Sequence, residues 1–441
     1  MSQNKKIVVV GAGLVGSLLA TMLVKKGFAV DVFEKRPDPR TSSAYAGKSI
    51  NLALSHRGIR ALKMAGVYEQ IAPQLIPMNG RKLHDVDGNL GFQPYGKEGQ
   101  YINSVSRGDL NLCLINEAEK YGVNVHFDHV CQDVDYDRSV LTFDHQGTTV
   151  EVSAEVIFGT DGAFSAIRSA FQKTDRFNYS QYYIEHGYKE LHMPPKDGDF
   201  AMEPNFLHIW PRGKYMLIAL PNPDKTFTCT LFFPFEGSPS FSELITPDKV
   251  EAFLKKDFPD VVDLIPDYQE QFNSNPTSSL VTVKCYPWLK NRTFIIGDAC
   301  HAIVPFYGQG MNAGFEDCRL LMEMAEEAGF DWDKVLPSFQ SMRKKDADAI
   351  ADLALKNFVE MRDWVGDEKF LLRKKIEAKL HEAYPDKWIP QYTMVTFSDI
   401  PYSEAQSRGN KQDKIMEELL SDTALPDLDN LDLSKIILKL T

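Results

Sequence analysis

The sequence predicts an α/β protein. A dinucleotide-binding domain is laid down in pieces, interleaved with a mostly antiparallel sheet domain, and followed by a helical C-terminal region. Three observations carry this. A β-branched run, Ile7-Val-Val-Val10, leads into Gly11-Ala-Gly13-Leu-Val-Gly16 and then a helix pattern. Two later apolar runs, Val156-Ile-Phe158 and Thr293-Phe-Ile-Ile296, end in Gly159-Thr-Asp161-Gly162 and Gly297-Asp298. Strand patterns lie between them, and from Ser338 to about His381 the spacing of apolar residues becomes helical.

At about 150 residues per domain, 441 residues allow two or three domains. With 43% hydrophobic and 25% charged residues, the composition is globular and excludes a disordered or fibrous chain. The net charge of −12 excludes the electrostatic footprint of a nucleic-acid binder and a bulk attraction to anionic membranes. The six cysteines contain no CxxC pair, so neither a zinc ribbon, another metal site nor a disulfide scaffold is expected. Scattered thiols fit a reducing cytoplasm. The uncharged run Ile7 to Val24 follows Lys5-Lys6 and has the look of a membrane span. Its glycine spacing and its Lys25-Lys26-Gly27 ending identify it instead as strand, turn and helix.

The first element is thus a buried parallel strand. Gly11 permits a tight turn, Gly13 lets backbone N–H groups approach a pyrophosphate, and Gly16 lets the helix pack on the strand. The helix from Ser17 to Lys26 offers its N-terminus to phosphate. The next strand, Phe28 to Phe33, ends at Glu34, which can accept both hydroxyls of a ribose. Arg81 to Val86 and Leu90 to Tyr95 flank Asp87-Gly88, a hairpin signal. A three-residue loop would put Arg81 opposite Tyr95, and a two-residue loop would put it opposite position 94. Either way an arginine fork and a tyrosine hydroxyl can converge on a carboxylate. Taken alone, an edge-strand arginine is more often solvated. Tyr215 to Leu220 and Thr226 to Phe233 form strands joined at Pro221-Asn-Pro-Asp224. After Gly297-Asp298, Gly308-Gln-Gly310-Met311-Asn312 opens a helix, whose first N–H groups suit an electron-rich ligand edge. In the helical tail Ile350, Ala354, Met361 and Trp364 share one stripe with Asn357. A buried amide needs a partner, either a nearby backbone group or a ligand. Ile436-Ile-Leu438 can dock a short final helix after the acidic, loop-like Leu425 to Leu433. No internal repeat is present.

The three motifs, in this order, resemble those of the FAD-dependent aromatic hydroxylases. The resemblance implies a Rossmann-like FAD-binding domain with Glu34 on the adenosine ribose and Asp298 on the ribityl chain. It places Arg107 near the FAD phosphates, and Gly310, Met311 and Asn312 against the flavin. Asp161-Gly162 would lie where FAD and a transient NADPH meet. No second GxGxxG and no redox CxxC is present, which sets the chain apart from pyridine-nucleotide-disulfide oxidoreductases.

Longer strings narrow the match. They are Gly47-Lys48-Ser49-Ile50-Asn51 to Gly58, Met78-Asn-Gly-Arg81, Tyr101 to Arg107, and His186-Gly-Tyr188-Lys189-Glu190-Leu191. From residue 1 to about 400 the chain resembles the branch of that family whose substrate is L-kynurenine. The implied reaction consumes NADPH and O2 and yields 3-hydroxykynurenine through a flavin C4a-hydroperoxide. The implied substrate contacts are Arg81 and Tyr95 for the carboxylate, Asn357, Tyr392 and Met361 beside it, and Phe306 and Tyr307 for the ring. Phe232 or Phe233 is either a further wall or core. Cys300 and His301 are not read as nucleophile and base, because no third partner is implied and the chemistry needs none. The domains are read as 1–72, 98–175 and 280–330 for FAD, 73–97 and 176–279 for the substrate sheet, and 331–441 for the helical region. Eukaryotic relatives anchor a C-terminal segment in a membrane. No such span is seen here, so a soluble, cytoplasmic, bacterial-type enzyme is implied. A homodimer stays open. The alternatives are a hydroxylase of another aromatic acid, a flavin-dependent isoprenoid reductase, and a non-catalytic flavoprotein.

Overall fold

The computed structural model describes residues 6–41, 51–361, 368–421, 428 and 430–440. Gly47 to Ile50, Trp364, Leu425 to Asp427 and Asp429 lie outside the described residues. The chain divides into two compact units. The first comprises Met1–Leu75, Asn103–Ile184 and Leu280–Ala351, and the second Ile76–Ile102, Glu185–Ser279 and Asp352–Thr441. Two units stand where three regions are expected. The long helix Trp332–Val359 is shared between them, so residues 331–351 join the first unit rather than a separate helical region.

The first unit is built on a six-stranded sheet. Its order is Leu289–Lys290, Thr293–Ile295, Val156–Gly159, Lys6–Val10, Ala29–Phe33 and Asn124–His126. All pairs are parallel except the edge pair Leu289–Lys290 with Thr293–Ile295. Val8, Val9, Ile157 and Phe158 are fully buried, as central parallel strands covered on both faces must be. This order places the ends of three motif-bearing strands side by side, although they come from three distant stretches of chain. A second, three-stranded antiparallel sheet, His129–Asp135, Val140–His145 and Thr148–Ser153, was not expected. Only Val134, Leu141, Phe143 and Val152 of its side chains are buried, too sparse a pattern to stand out in sequence.

A mostly antiparallel sheet of seven strands draws most of its residues from the second unit. Its order is Thr277–Tyr286, Asn178–Met193, Phe227–Pro234, Met216–Pro221, Leu207–Pro211, Gly80–His84 and Leu90–Pro94. A parallel pair, Leu207↔Arg81 to Ile209↔Leu83, joins the hairpin to the rest. Phe233, Leu231, Trp210 and Leu217 pack on helices Pro247–Asp257, Pro259–Val262 and Tyr268–Ser274. Phe233 is therefore core, with rings of Tyr215, Phe241 and Phe253 around it, while Phe232 approaches Tyr188. A helical subdomain forms its own core from Ile376, Leu380, Trp388, Ile415 and Met416, closed by Ile436 and Ile437 of the final helix Leu433–Leu438. Among the described residues no helix is long and apolar enough to cross a membrane.

Candidate active site

The glycine turn behaves as its spacing predicts. Gly11 has φ +105, and a Cβ there would lie 2.8 Å from Thr160 O. A Cβ on Gly16 would lie 2.0 Å from Gly11 O, so the helix Leu14–Lys25 touches the turn at this point. Above Gly13 a Cβ would meet nothing within 4 Å. This helix has no side-chain N-cap and no acid in its first turn. Helix Gly310–Glu327 is bare in the same way, with Gly310, Met311 and Asn312 as its first residues. By contrast Ser106 and Ser165 cap helices Arg107–Lys120 and Ala166–Phe171. Free N–H groups at two helix starts suit anionic or electron-rich ligand atoms.

Three carboxylates end the strands. Glu34 is buried, and its Oε2 accepts the Ala12 N–H at 2.8 Å. Its Oε1 accepts from Arg36 N at 3.0 Å and Arg36 Nε at 2.6 Å. The side chain thus fastens the glycine turn and keeps lone pairs for ribose hydroxyls. Asp161 Oδ2 accepts the N–H groups of Ala166 at 2.7 Å and Ile167 at 3.3 Å, so part of its role is capping. Its buried Oδ1 has no partner among the described residues. Burial raises the Asp161 carboxyl above its ordinary value against the hydrogen bonds of Ser165 and the main chain. Asp298 begins helix Asp298–His301 after Gly297, whose φ is +66, and takes no hydrogen bond among the described residues. Arg168 ties the two later motifs together, donating to Ala299 O at 2.9 Å and Ala163 O at 2.6 Å. Arg107 is exposed at the start of its helix and makes no ion pair among the described residues.

Asn312 lies in the first turn of helix Gly310–Glu327. It is fully buried, and its amide donates to Ala53 O at 2.8 Å and Gly308 O at 2.7 Å while accepting from Ser55 N at 2.9 Å. The side chain is engaged in tying strand Asn51–Leu54 to the flavin-motif helix, leaving only its main chain for a cofactor. Phe306 and Tyr307 are buried in the turn just before it.

Beneath this helix lies a charge network that is invisible in the sequence. His301 Nε2 is 2.5 Å from Asp317 Oδ2, and Arg343 Nε donates to Asp317 Oδ1 at 2.7 Å. Arg343 Nη2 donates to Glu316 Oε2 at 2.7 Å, and Glu316 also pairs with Arg57. All five side chains are buried. His301 therefore does have an acidic partner, which corrects the sequence reading. The nucleophile reading still fails, because the Cys300 thiol is pushed up by burial and points to Gly297 O at 3.3 Å. Burial alone would push His301 down, but Asp317 lifts it. Burial would likewise raise Asp317, but His301 and Arg343 hold it below 3.8. The signs then follow. The Asp317 contribution is present above its ordinary value of 3.8 and is lost as pH falls through its lower folded value. The His301 contribution is present below 6.5 and is lost as pH rises through its higher folded value. We expect a stability plateau between these limits, and a His301→Gln variant whose alkaline loss disappears in thermal unfolding scans. A variant retaining the full alkaline loss would contradict this.

In the second unit Arg81, Tyr95 and Tyr392 come together. The hairpin register pairs Arg81 with Gln93, which neither expected loop allows. The reason is Asp85: its carboxylate accepts from Asp87 N at 2.9 Å and Asn89 N at 2.7 Å, closing the turn around Val86 to Gly88. Tyr95 falls two residues beyond Gln93 on the same face, a diagonal neighbour of Arg81. The Arg81 guanidinium carbon lies 5.6 Å from the Tyr95 ring centroid and 5.2 Å from that of Tyr392. The two rings stack at 5.5 Å and 11°. Arg81 is 9% exposed, so this is a nearly desolvated cation beside two aromatic faces. The buried Tyr95 hydroxyl has no partner among the described residues, and burial raises its pKa so that it stays a donor. Asn357 and Met361 are buried together, with Asn357 Nδ2 at 3.3 Å from Met361 Sδ.

The uncrowded space at Gly13, the bare helix starts and the orphaned Asp161 oxygen fit FAD. Gly16→Ala is expected to yield protein without flavin absorbance, because its Cβ would collide with the Gly11 carbonyl and the buried Thr160 hydroxyl. A normally yellow variant would refute the close contact.

A family model described as an FAD binding domain matches residues 4–353. Relatives named kynurenine 3-monooxygenase, from Flavobacterium psychrophilum and Sus scrofa, are 50% and 45% identical to this chain. The alignments cover 95% of this chain in both cases, and 94% and 89% of the relatives. Among solved structures, a tetrameric 2-methyl-3-hydroxypyridine-5-carboxylic acid oxygenase is similar with a TM-score of 0.69 and 19% identity, over 85% of this chain and 96% of that one. Tetracycline destructase Tet(51) gives 0.61 and 18%, over 86% and 98%. At such identities the structural likeness shows the fold, while the sequence relatives show more: the chain belongs to the kynurenine 3-monooxygenase family, built on an FAD binding domain.

Proposed function

We propose that the chain is an FAD-dependent monooxygenase that converts L-kynurenine, NADPH and O2 to 3-hydroxykynurenine, NADP and water. The observation that carries the substrate class is the nearly desolvated Arg81 between Tyr95 and Tyr392. A cation held this way, beside a buried hydroxyl that keeps its proton, suits a carboxylate on an aromatic amino acid. The names of the relatives make kynurenine the specific choice.

Gly11, Gly13, Gly16, Glu34, Arg107, Asp298 and the main chain of Gly310 to Asn312 would hold FAD, and Asp161-Gly162 would meet the nicotinamide cofactor. FAD, when bound, takes electrons from NADPH and activates O2 for insertion into the ring. The protein's own part is binding and orientation. Arg81 and Tyr95 grip the carboxylate, remote from the reacting carbon, and that binding energy fixes the ring's orientation. Tyr95 donates rather than accepts, since burial holds its proton. Tyr392, Asn357 and Met361 complete the amino-acid end, and Phe306 and Tyr307 serve the ring. The aniline nitrogen of kynurenine activates its own ortho carbon, so no protein base is required. All six thiols are free, in keeping with a cytoplasmic setting.

The test is NADPH consumption by the flavin-loaded protein with and without L-kynurenine, with mass spectrometry of the product. Stimulation and a gain of one oxygen are expected. Stimulation by a hydroxybenzoate but not by kynurenine would overturn the substrate while leaving the FAD reading intact.

A further inference from the structure

A histidine pair stands behind the Arg81 clamp. His84 ends the strand Gly80–His84, three residues from Arg81 and so on the opposite face of the sheet. His84 Nδ1 lies 3.0 Å from Asp260 Oδ2, on helix Pro259–Val262. His84 Nε2 lies 2.8 Å from His208 Nδ1, on the neighbouring strand. His208 Nε2 lies 2.8 Å from the main-chain oxygen of Glu203. Both rings are buried.

The protons in this row can be counted. A carbonyl oxygen only accepts, so His208 Nε2 carries a proton. A carboxylate only accepts, so His84 Nδ1 carries a second. The bond between the rings needs a third. Two neutral imidazoles carry two protons, so the pair holds one positive charge. Asp260 is ionised: Trp210 Nε1 donates to the same Oδ2 at 2.7 Å, and against the effect of burial His84 and Trp210 keep its carboxyl low. Burial pushes His208 down to about 4, and of the two rings only His84 touches the Asp260 carboxylate.

We propose that the charged His84–His208 pair is a positioning element for the Arg81 clamp, which loosens its grip on carboxylate as pH rises and the third proton leaves. This rests on the reading of Arg81 as the carboxylate binder. His84 links the strand that carries Arg81 to helix Pro259–Val262 through Asp260, beside the bonds by which Arg212 joins the main chain of His84 and Asp85 to that of Asp257. Without the third proton, one contact in the row becomes lone pair against lone pair. Either His84 then opposes Asp260 or the two rings oppose each other. The strand that carries Arg81 loses one of its fixed points.

The charged groups around the pair are few. Lys82 and Glu203 pair with each other at the rim. Arg212 donates to the main-chain oxygens of His84 at 2.9 Å, Asp257 at 2.5 Å and Asp85 at 3.3 Å. Arg212 and Lys82 disfavour a further cation, while Asp260, Glu203, Asp257 and Asp85 favour one; Asp260 touches the His84 ring and Arg212 the His84 main-chain oxygen.

Two measurements test this. In 15N-histidine NMR of the full-length holoprotein at neutral pH, both nitrogens of one buried ring should be protonated, with signals lost in His84→Asn. A pair with only two protons at neutral pH overturns the proposal. In steady-state kinetics, KM for the stimulating aromatic acid should rise about fivefold or more between roughly pH 6 and pH 9, with kcat changing less. His84→Asn keeps a donor for Asp260 but cannot titrate, so its KM should lose that rise. An identical rise in His84→Asn, which titration of the substrate amine alone would give, also overturns the proposal. The NMR readout needs no substrate, so failure of the kynurenine reading is distinguishable from failure of this one.

Discussion

Arg343→Leu is expected to destabilise the first unit by about 3 kcal/mol. Arg343 contacts both Glu316 and Asp317, and all three are almost without solvent. Removing the guanidinium leaves two buried carboxylates short of a cation, a loss of about 3–5 kcal/mol for broken buried pairs. The lower end applies here, because Arg57 still faces Glu316 and His301 still faces Asp317. For a unit of this size the melting temperature should fall by roughly 10 °C. The double variant with Asp317→Asn should recover part of the loss, since Glu316 keeps Arg57 as its cation and no carboxylate is left short of one. A single variant within about 1 kcal/mol of the parent would mean that the network is hydrated and carries little.

Arg81→Ala should raise KM for L-kynurenine at least about tenfold, the loss of one good charged contact. Flavin content and melting temperature should change little, because the lost group is a ligand contact on an edge hairpin. Arg81→Lys should recover only part of the loss. An ammonium lacks the planar fork that grips a carboxylate through two bonds and lies flat against Tyr95 and Tyr392. An unchanged KM in a normally folded Arg81→Ala protein would remove Arg81 from the substrate site.

The parts that were legible in sequence are those set by local constraints. Gly11 is demanded by its turn at φ +105 and Gly16 by the nearby Gly11 carbonyl, so spacing alone reveals them, although Thr160 crowds both. Strand ends at Asp161 and Asp298 show up because short β-branched runs stop there. The hairpin register was not legible, since it depends on Asp85 capping its own turn, a choice between turns of nearly equal sequence support. The network around Arg343 was hidden for a different reason. Its members lie on four separate helices, and a buried Glu or Asp on an amphipathic helix reads as a surface residue until its partner is known. The diagonal contact of Arg81 with Tyr95 was anticipated in kind, and Tyr392 joined it only through the resemblance.

The six-stranded sheet has a consequence for how the chain is made. Lys6–Val10 finds Ala29–Phe33 early in synthesis, but its other neighbour, Val156–Gly159, emerges much later. That strand in turn has an open edge until Thr293–Ile295 arrives. A nascent chain therefore carries a fully apolar parallel strand with unpaired backbone groups while the whole intervening sheet is translated. Non-local pairing of this kind folds slowly and is exposed to aggregation. A chain truncated shortly before Thr293 should be insoluble even though it contains the entire glycine turn.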